Sequence, residues 1–425
     1  MDSQDIYLQE KDGSYRKVGS VLKTVACIFP GQGSQYKGMC KELYQKEQKV
    51  RDLFDRASKT LNIDFIHLCF ETEDNELVHT RNAQLAIFLT SYCMYQKLQE
   101  DRIRVRYMAG HSLGEITALT CAGAIKFEDA LKIIYCRGTL MQEAAEQSMG
   151  GMCAIIGVPM YKIVHMCEEL TDETGFVSIA NYNSDSQIVV SCSTNKISMI
   201  SKMVEQMQGR CQVLNVAAPF HSISMKEASV KFAEELRKYT FHDLQCEVIS
   251  NVTGKPYQNS SEIYEKLVSH MTSPVMWLDT MNYFLKKKVG IVIEVGPKNV
   301  LKKLMKHYTT FLKVFTMDLE EDRANLDSYL DDLKQSSSVI IQCLKAAVCT
   351  PNKNWNQEEY KEGVVKPYKK LRKLQLKLEE ENREATEREE EVAVSLLKTL
   401  FTTKKVEESE QEYRLGLIYD LMKQS

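Results

Sequence analysis

What this chain has little of narrows its class before any motif is read. No apolar run approaches the ~20 residues that a membrane-spanning helix needs, so no span is expected. The polar, acid-bearing start, Met1 to Lys17, lacks the basic and apolar regions of a secretory signal. An excess of one charge sign is missing too: 55 Lys and Arg stand against 58 Asp and Glu, a formal net charge of -3. No global field therefore favours nucleic acid or a membrane surface, and a charged partner has to be met by a local patch. Metal-like C-x-x-C spacing is absent among the 13 cysteines, which are scattered and odd in number. They read as reduced thiols of a cytoplasmic protein, neither a disulfide framework nor a zinc site.

What is present is the composition of a folded protein, with 44% hydrophobic and 27% charged residues. At 425 residues the chain exceeds one small core, and two to three domains are expected. Residues 1–23 read as a polar, loosely held N-terminal leader. Thr24 to Pro30 reads as a strand running into the glycine-spaced loop Gly31-Gln32-Gly33-Ser34-Gln35. Helical periodicity follows from Tyr36 to Leu98, with Gln84 to Tyr95 apolar on more than one face and so buried. Another helix is expected from Phe127 to Glu146.

The rhythm then changes. Met152–Val158, Phe176–Asn181, Gln187–Cys192 and Cys211–Val216 read as strands, with helices over Tyr161–Leu170 and Ile197–Met207. That β-α-β-β-α-β order predicts a ferredoxin-like subdomain over 150–217. It is inserted, because Cys246–Val252 and Val289–Val295 read as parallel strands returning to a main sheet. The expected fold is an α/β core over 24–149 and 218–335, a mostly parallel, hydrolase-like sheet with helices on both faces. Residues 336–425 read as a charged helical extension. Tyr368, Leu371, Leu374 and Leu378 mark one apolar stripe behind Pro367. Thr386 and Glu389 form a capping-box pattern before Val392, Leu396, Leu397 and Leu400.

The chemistry centres on Gly110-His111-Ser112-Leu113-Gly114. Glycines on both sides of a serine allow a sharp strand-to-helix turn that lifts the hydroxyl clear of its own main chain. The flanks fit, with Arg104–Ala109 as a strand end, Glu115–Ala122 as a helix and Gly123 as its stop. The free N–H groups at that helix start would stabilise an oxyanion. Small residues around a serine also occur in ordinary tight turns.

A serine hydroxyl needs a base. Of the eight histidines, His221 in Ala218-Pro219-Phe220-His221-Ser222 stands at the edge of the inserted subdomain, where a cleft is expected. The plainer alternative is a loop histidine bonded to backbone. Arg137 lies inside an otherwise apolar helix and must find an anion or reach solvent. It could grip a substrate carboxylate with its planar fork, pair with Glu115 or snorkel outward. The N–H of Gln32, with that of Leu113, would make a two-donor oxyanion hole, unless Gly31 and Gly33 serve only a turn. His111 and His270 read as structural more than chemical, and Lys286–Lys288 and Lys298–Lys306 as solvated faces or a dock for an acidic partner.

Several motifs coincide with a known family. Phe29-Pro30-Gly31-Gln32-Gly33-Ser34-Gln35, the serine turn continuing to Glu115, Arg137-Gly138 with Met141-Gln142, and Phe220-His221-Ser222 stand in its order and spacing. Asn82-Ala83-Gln84, Asn181-Tyr182-Asn183, Pro274-Val275-Met276-Trp277 and Glu294-Val295-Gly296-Pro297 extend the similarity over roughly Val25 to Asp331. The chain resembles malonyl-CoA:acyl carrier protein transacylases, including the freestanding acyltransferases that serve modular polyketide synthases. The resemblance implies Ser112 as nucleophile, His221 as base, Gln32 and Leu113 N–H groups as oxyanion donors, and Arg137 as holder of the malonyl carboxylate. Phe220, Met141, Gln84, His111 and Asn181 would line the substrate pocket. The family's usual glutamine, whose main-chain carbonyl orients the histidine, is replaced by His270; Lys298 stands where a glycine is common and Leu85 where proline is usual.

Phe220 would fill the space of an α-methyl branch, so malonyl is preferred over methylmalonyl by the ~1–3 kcal/mol that one methyl is worth. The implied substrates are malonyl-CoA and an acyl carrier protein, with no bound cofactor, metal, nucleic acid or membrane. The leader and the long extension lean towards polyketide rather than fatty acid synthesis. The alternatives are a proofreading acyl hydrolase, expected to lack the carboxylate-binding arginine, and a non-catalytic synthase scaffold.

Overall fold

The computed structural model describes residues 7–9, 15–17, 24–72, 76–100, 103, 105–147, 149–216, 218–306, 312–381 and 383–422. Most of the polar leader and Arg104 lie outside the described residues. Ahead of Thr24, where the sequence suggested no regular element, β1 (Tyr7–Gln9) and β2 (Tyr15–Lys17) pair antiparallel. Contacts divide the chain into two compact units. One runs over Thr24–Asp101 and Val105–Arg323, and the other takes in Met1–Lys23, Arg102–Arg104 and Ala324–Ser425.

The larger unit is organised by a parallel sheet of β3 (Thr24–Phe29), β4 (Val105–Gly110), β9 (Glu247–Ile249), β10 (Val289–Glu294) and β11 (Lys313–Thr316). Its spatial order is β11-β10-β3-β4-β9, every neighbouring pair parallel. All six residues of β3 and of β10 are buried, as strands covered on both faces must be. Tyr107, Trp277, Phe284 and Val292 form part of the core under one face. The strand expected over Cys246–Val252 is shorter than its apolar pattern suggested. It stops at Ile249, because Ser250 N turns away to Lys255 O and Gly254, at φ +61°, closes a tight turn. Asn251 is thereby released from the sheet.

A second sheet carries the inserted subdomain: β5 (Gly150–Ile156), β6 (Val177–Ser184), β7 (Gln187–Ser193) and β8 (Arg210–Val213). Its order is β6-β7-β5-β8, antiparallel throughout, with helices Met160–Leu170 and Ile197–Gln206 on one face. Successive strand residues point to opposite faces. Cys153, Ile155, Val190 and Cys192 therefore pack in a core with Ile163 and Ile200, while Met152, Ala154 and Val189 line a cavity. One strand set serves two interiors.

Two helices carry most of the remaining positioning. Thr80–Glu100 is buried over most of its circumference, and every residue of Leu113–Cys121 is buried. Both were expected as helices, the first buried because its apolar residues lie on more than one face. In the smaller unit, helices Val339–Cys349, Lys366–Glu380, Glu387–Lys404 and Glu408–Met422 share a core that includes Ile340, Leu371, Leu397 and Phe401. Of the apolar residues behind the capping-box pattern, Leu397 and Leu400 are buried and Val392 is 49% exposed. The capping box at Thr386 and Glu389 is formed at both ends. No helix among the described residues is long and apolar enough to cross a membrane.

Replacing the Thr386 cap tests this unit. Thr386→Ala is expected to cost about 1 kcal/mol of stability, and Thr386→Ser to retain it, measured by chemical denaturation.

Candidate active site

Ser112 sits between β4 and the Leu113–Cys121 helix with φ +52°, a conformation that a non-glycine residue adopts only under constraint. The constraint is steric and local. A Cβ on Gly110 would fall 1.8 Å from Gly114 C, and one on Gly114 would fall 2.0 Å from Phe29 O. Bare backbone at Gly110 lets the turn fold onto the start of its own helix, and at Gly114 lets it press against β3. Asn251 clamps it from the other side, its Oδ1 accepting from Ser112 N at 2.8 Å and its Nδ2 donating to Gly110 O at 2.6 Å.

His221 reaches the same point from the exit of the inserted subdomain, and it too has positive φ, +55°. Its turn is held by Ser191 Oγ donating to Phe220 O and Ser222 Oγ donating to Pro219 O, both at 2.5 Å. The Nδ1–H donates to the main-chain oxygen of His270 at 2.9 Å. That bond fixes the tautomer and leaves the Nε2 lone pair free. Ser112 Oγ donates to Nε2 at 2.8 Å. Burial first, then the nearby His270 and Arg137, hold the His221 imidazole well below the usual histidine range. It is a neutral proton acceptor in contact with a serine hydroxyl.

Arg137 is 2% exposed, which excludes the snorkelling alternative. It does not pair with Glu115 either, for among the described residues it has no carboxylate partner. Its Nη2 donates to Ser112 Oγ at 3.2 Å and its Nη1 to Gln84 Oε1 at 2.8 Å. Gln84 Nε2 in turn meets Met141 Sδ at 3.4 Å. Burial lowers the guanidinium to about 10, so it stays charged at neutral pH. Glu115 acts on it only through its field, with no ion-pair contact; such a buried cation is costly, and an incoming carboxylate would relieve it.

These groups open onto a cavity of ≈ 400 Å³. Gln32, Gln84, His111, Leu113, Met141, Asn181 and Phe220, each expected at the site, line it together with Ser112 and His221. Arg137 is not a wall residue and reaches the cavity through Ser112 and Gln84. Leu113 opens its helix, so its N–H has no preceding carbonyl to bind, and among the described residues neither it nor the Gln32 N–H donates to a protein acceptor. His111 Nε2 lies 2.9 Å from Asn183 Oδ1, and burial takes its imidazole down to about 4. Lys298, standing where a glycine is common, adopts φ +63°.

Sequence reasoning missed Asn251 and Asn183 and read Glu115 only as a possible mate for Arg137. Asn251 was hidden inside a strand pattern, and the Asn-Val-Thr-Gly run was its one available signal. Asn183 ends a motif whose first residue, Asn181, was singled out.

A parallel α/β sheet, a ferredoxin-like insertion and a serine on a strand-to-helix turn beside a neutral histidine define an α/β acyltransferase. Comparison with known proteins agrees: the acyl transferase domain family matches residues 26–317. A malonyl CoA-acyl carrier protein transacylase of Bacillus subtilis is 36% identical over 92% of this chain and 99% of its own length. One of Staphylococcus aureus (strain MSSA476) is 30% identical over 71% of this chain and 97% of its own length. Among solved structures, that of a malonyl CoA-acyl carrier protein transacylase from Clostridium perfringens aligns with a TM-score of 0.70 and 32% identity, over 73% of this chain and 98% of that one. A malonyl-transacylase in complex with a type II polyketide synthase acyl carrier protein aligns at 0.68 and 33% identity, over 70% and 97%. The chain belongs to the malonyl-CoA:acyl carrier protein transacylase family.

Closing the gap at Gly114 tests the turn. Gly114→Ala is expected to cost at least about 3 kcal/mol, because β3 backbone occupies the new methyl's place. Thermal unfolding of the purified variant checks it.

Proposed function

We infer that this chain transfers a malonyl group from malonyl-CoA to the phosphopantetheine thiol of an acyl carrier protein, through a malonyl ester on Ser112. The observation that carries the reading is the convergence of His221 Nε2, at 2.8 Å, and a buried Arg137 with no ion-paired carboxylate among the described residues, at 3.2 Å, on one hydroxyl oxygen.

In the first half-reaction His221 takes the Ser112 proton as the oxygen attacks the thioester carbonyl. The N–H groups of Gln32 and Leu113 stabilise the tetrahedral oxyanion, and the CoA thiol leaves with the proton from His221. In the second half the carrier thiol gives its proton to His221, attacks the malonyl ester and returns Ser112 to the free alcohol. Arg137 binds the malonyl carboxylate through a fork that a lysine cannot reproduce. The apolar wall of Met152, Val189 and Leu214 limits water at the ester, whose hydrolysis would compete. A hydrolase reading loses its support from the same Arg137, which has no task in releasing an acetyl group to water. The 13 free cysteines support a reducing, cytoplasmic setting.

Incubation with malonyl-CoA is expected to add about 86 daltons at Ser112, lost again on addition of carrier protein, as read by intact-protein and peptide mass spectrometry. Ser112→Ala should show no adduct, and His221→Ala should acylate about 10²–10⁴-fold more slowly. Arg137→Ala is expected to lower kcat/KM for malonyl-CoA by about 10²-fold or more while acetyl-CoA loses far less.

The pH profile carries its own test. The unprotonated His221 is the active form, and its proton affinity lies well below the ordinary 6.5. Acylation kcat/KM should therefore stay flat as pH falls through 6.5 and drop only further down. An acid limb centred at or above 6.5 would contradict the neutral-base assignment.

A further inference from the structure

Behind the serine and histidine lies a buried carboxylate that the transfer steps do not use. Glu115 is 0% exposed, one turn into the helix that begins at Leu113. Its Oε1 accepts from Asn251 N at 3.0 Å and from Tyr257 Oη at 2.6 Å. Its Oε2 lies 2.9 Å from Nδ1 of the buried His270 ring. Burial pushes the carboxyl up, but His270, Tyr257 and Asn251 together draw it below the usual carboxylate range. The charge is retained inside the protein.

Each of its two arms ends on one half of the reacting pair. Asn251, held by Oε1, is the residue whose side chain clamps Ser112 N and Gly110 O and so maintains the positive-φ turn. His270, held by Oε2, supplies the main-chain oxygen that orients His221 Nδ1–H, and its ring stacks on His221 with centroids 4.9 Å apart. The nucleophile and the base come from segments 109 residues apart. Glu115 touches the holders of both.

We propose that Glu115 is a positioning residue that sets the Ser112–His221 geometry from behind, through Asn251 on one side and His270 on the other. The proposal rests on the Ser–His reading above. It also accounts for a departure within the family pattern: a histidine at 270, in place of glutamine, still presents a ring nitrogen to the carboxylate while its main chain serves His221.

The test uses the full chain, malonyl-CoA as the probe and single-turnover rapid quench with mass spectrometry. Glu115→Gln keeps an acceptor for Asn251 and Tyr257 but removes the charge facing His270. The variant is expected to reach full adduct occupancy at long times, with the acylation rate lowered about 10²-fold and KM for malonyl-CoA moved by less than about 3-fold. A role in folding alone would reduce occupancy and leave the rate per folded molecule unchanged.

His270 provides the independent readout should Glu115→Gln fail to fold. His270→Leu, which cannot donate to the carboxylate, is expected to lose rate to a similar extent, and His270→Gln, which can, to recover most of it. A wild-type rate in Glu115→Gln, or equal losses in the two His270 variants, would overturn the proposal while Ser112→Ala stayed free of adduct. An adduct on Ser112→Ala would instead remove the Ser–His reading itself, and this proposal with it.

Discussion

The bond from Ser112 Oγ to His221 Nε2 is a contact between two residues that both sit at unfavourable backbone angles, φ +52° and +55°. Such conformations cost roughly 1–2 kcal/mol each and persist only where their surroundings over-determine them. At Ser112 the surroundings are the bare backbone of Gly110 and Gly114 and the Asn251 clamp. At His221 they are two short serine hydroxyl bonds and the His270 carbonyl. Strain at the reacting pair is thus balanced by polar groups buried around it.

Electrostatics then assigns the parts. Burial disfavours charge, so the same depth that keeps the His221 imidazole neutral leaves Arg137 as a cation with no ion-paired carboxylate among the described residues, offset only by the field of Glu115. A neutral base and a guanidinium without an ion-paired carboxylate meeting at one hydroxyl favour a substrate that carries its own carboxylate. Discrimination between acyl groups follows from that imbalance of charge as well as from shape.

Shape comes from the inserted subdomain. Because β5 and β7 send alternate residues to opposite faces, a change that disturbs the Cys153–Ile155 side also moves Met152 and Ala154 on the cavity side. The insertion's own stability and the form of the substrate wall are linked through two strands. The Val300–Leu304 helix closes the cavity from the parallel sheet, its first N–H groups held by the buried Glu294.

Much of this was legible in the residues alone. Glycine spacing at 110 and 114 determined the turn, because only a missing Cβ lets position 110 close on position 114 and position 114 approach β3. The alternation of short apolar runs over 150–217 determined the subdomain, and its strands appear within a few residues of their expected ends. Periodicity could not say which polar groups meet once helices and strands are buried on all sides. Whether Arg137 pairs with Glu115 or faces Ser112, that β9 stops early to free Asn251, and that Glu115 turns to His270 were decided only in three dimensions. The reason is physical: a local pattern records which face of an element is apolar, whereas the partner of a buried charge is chosen by segments a hundred residues away.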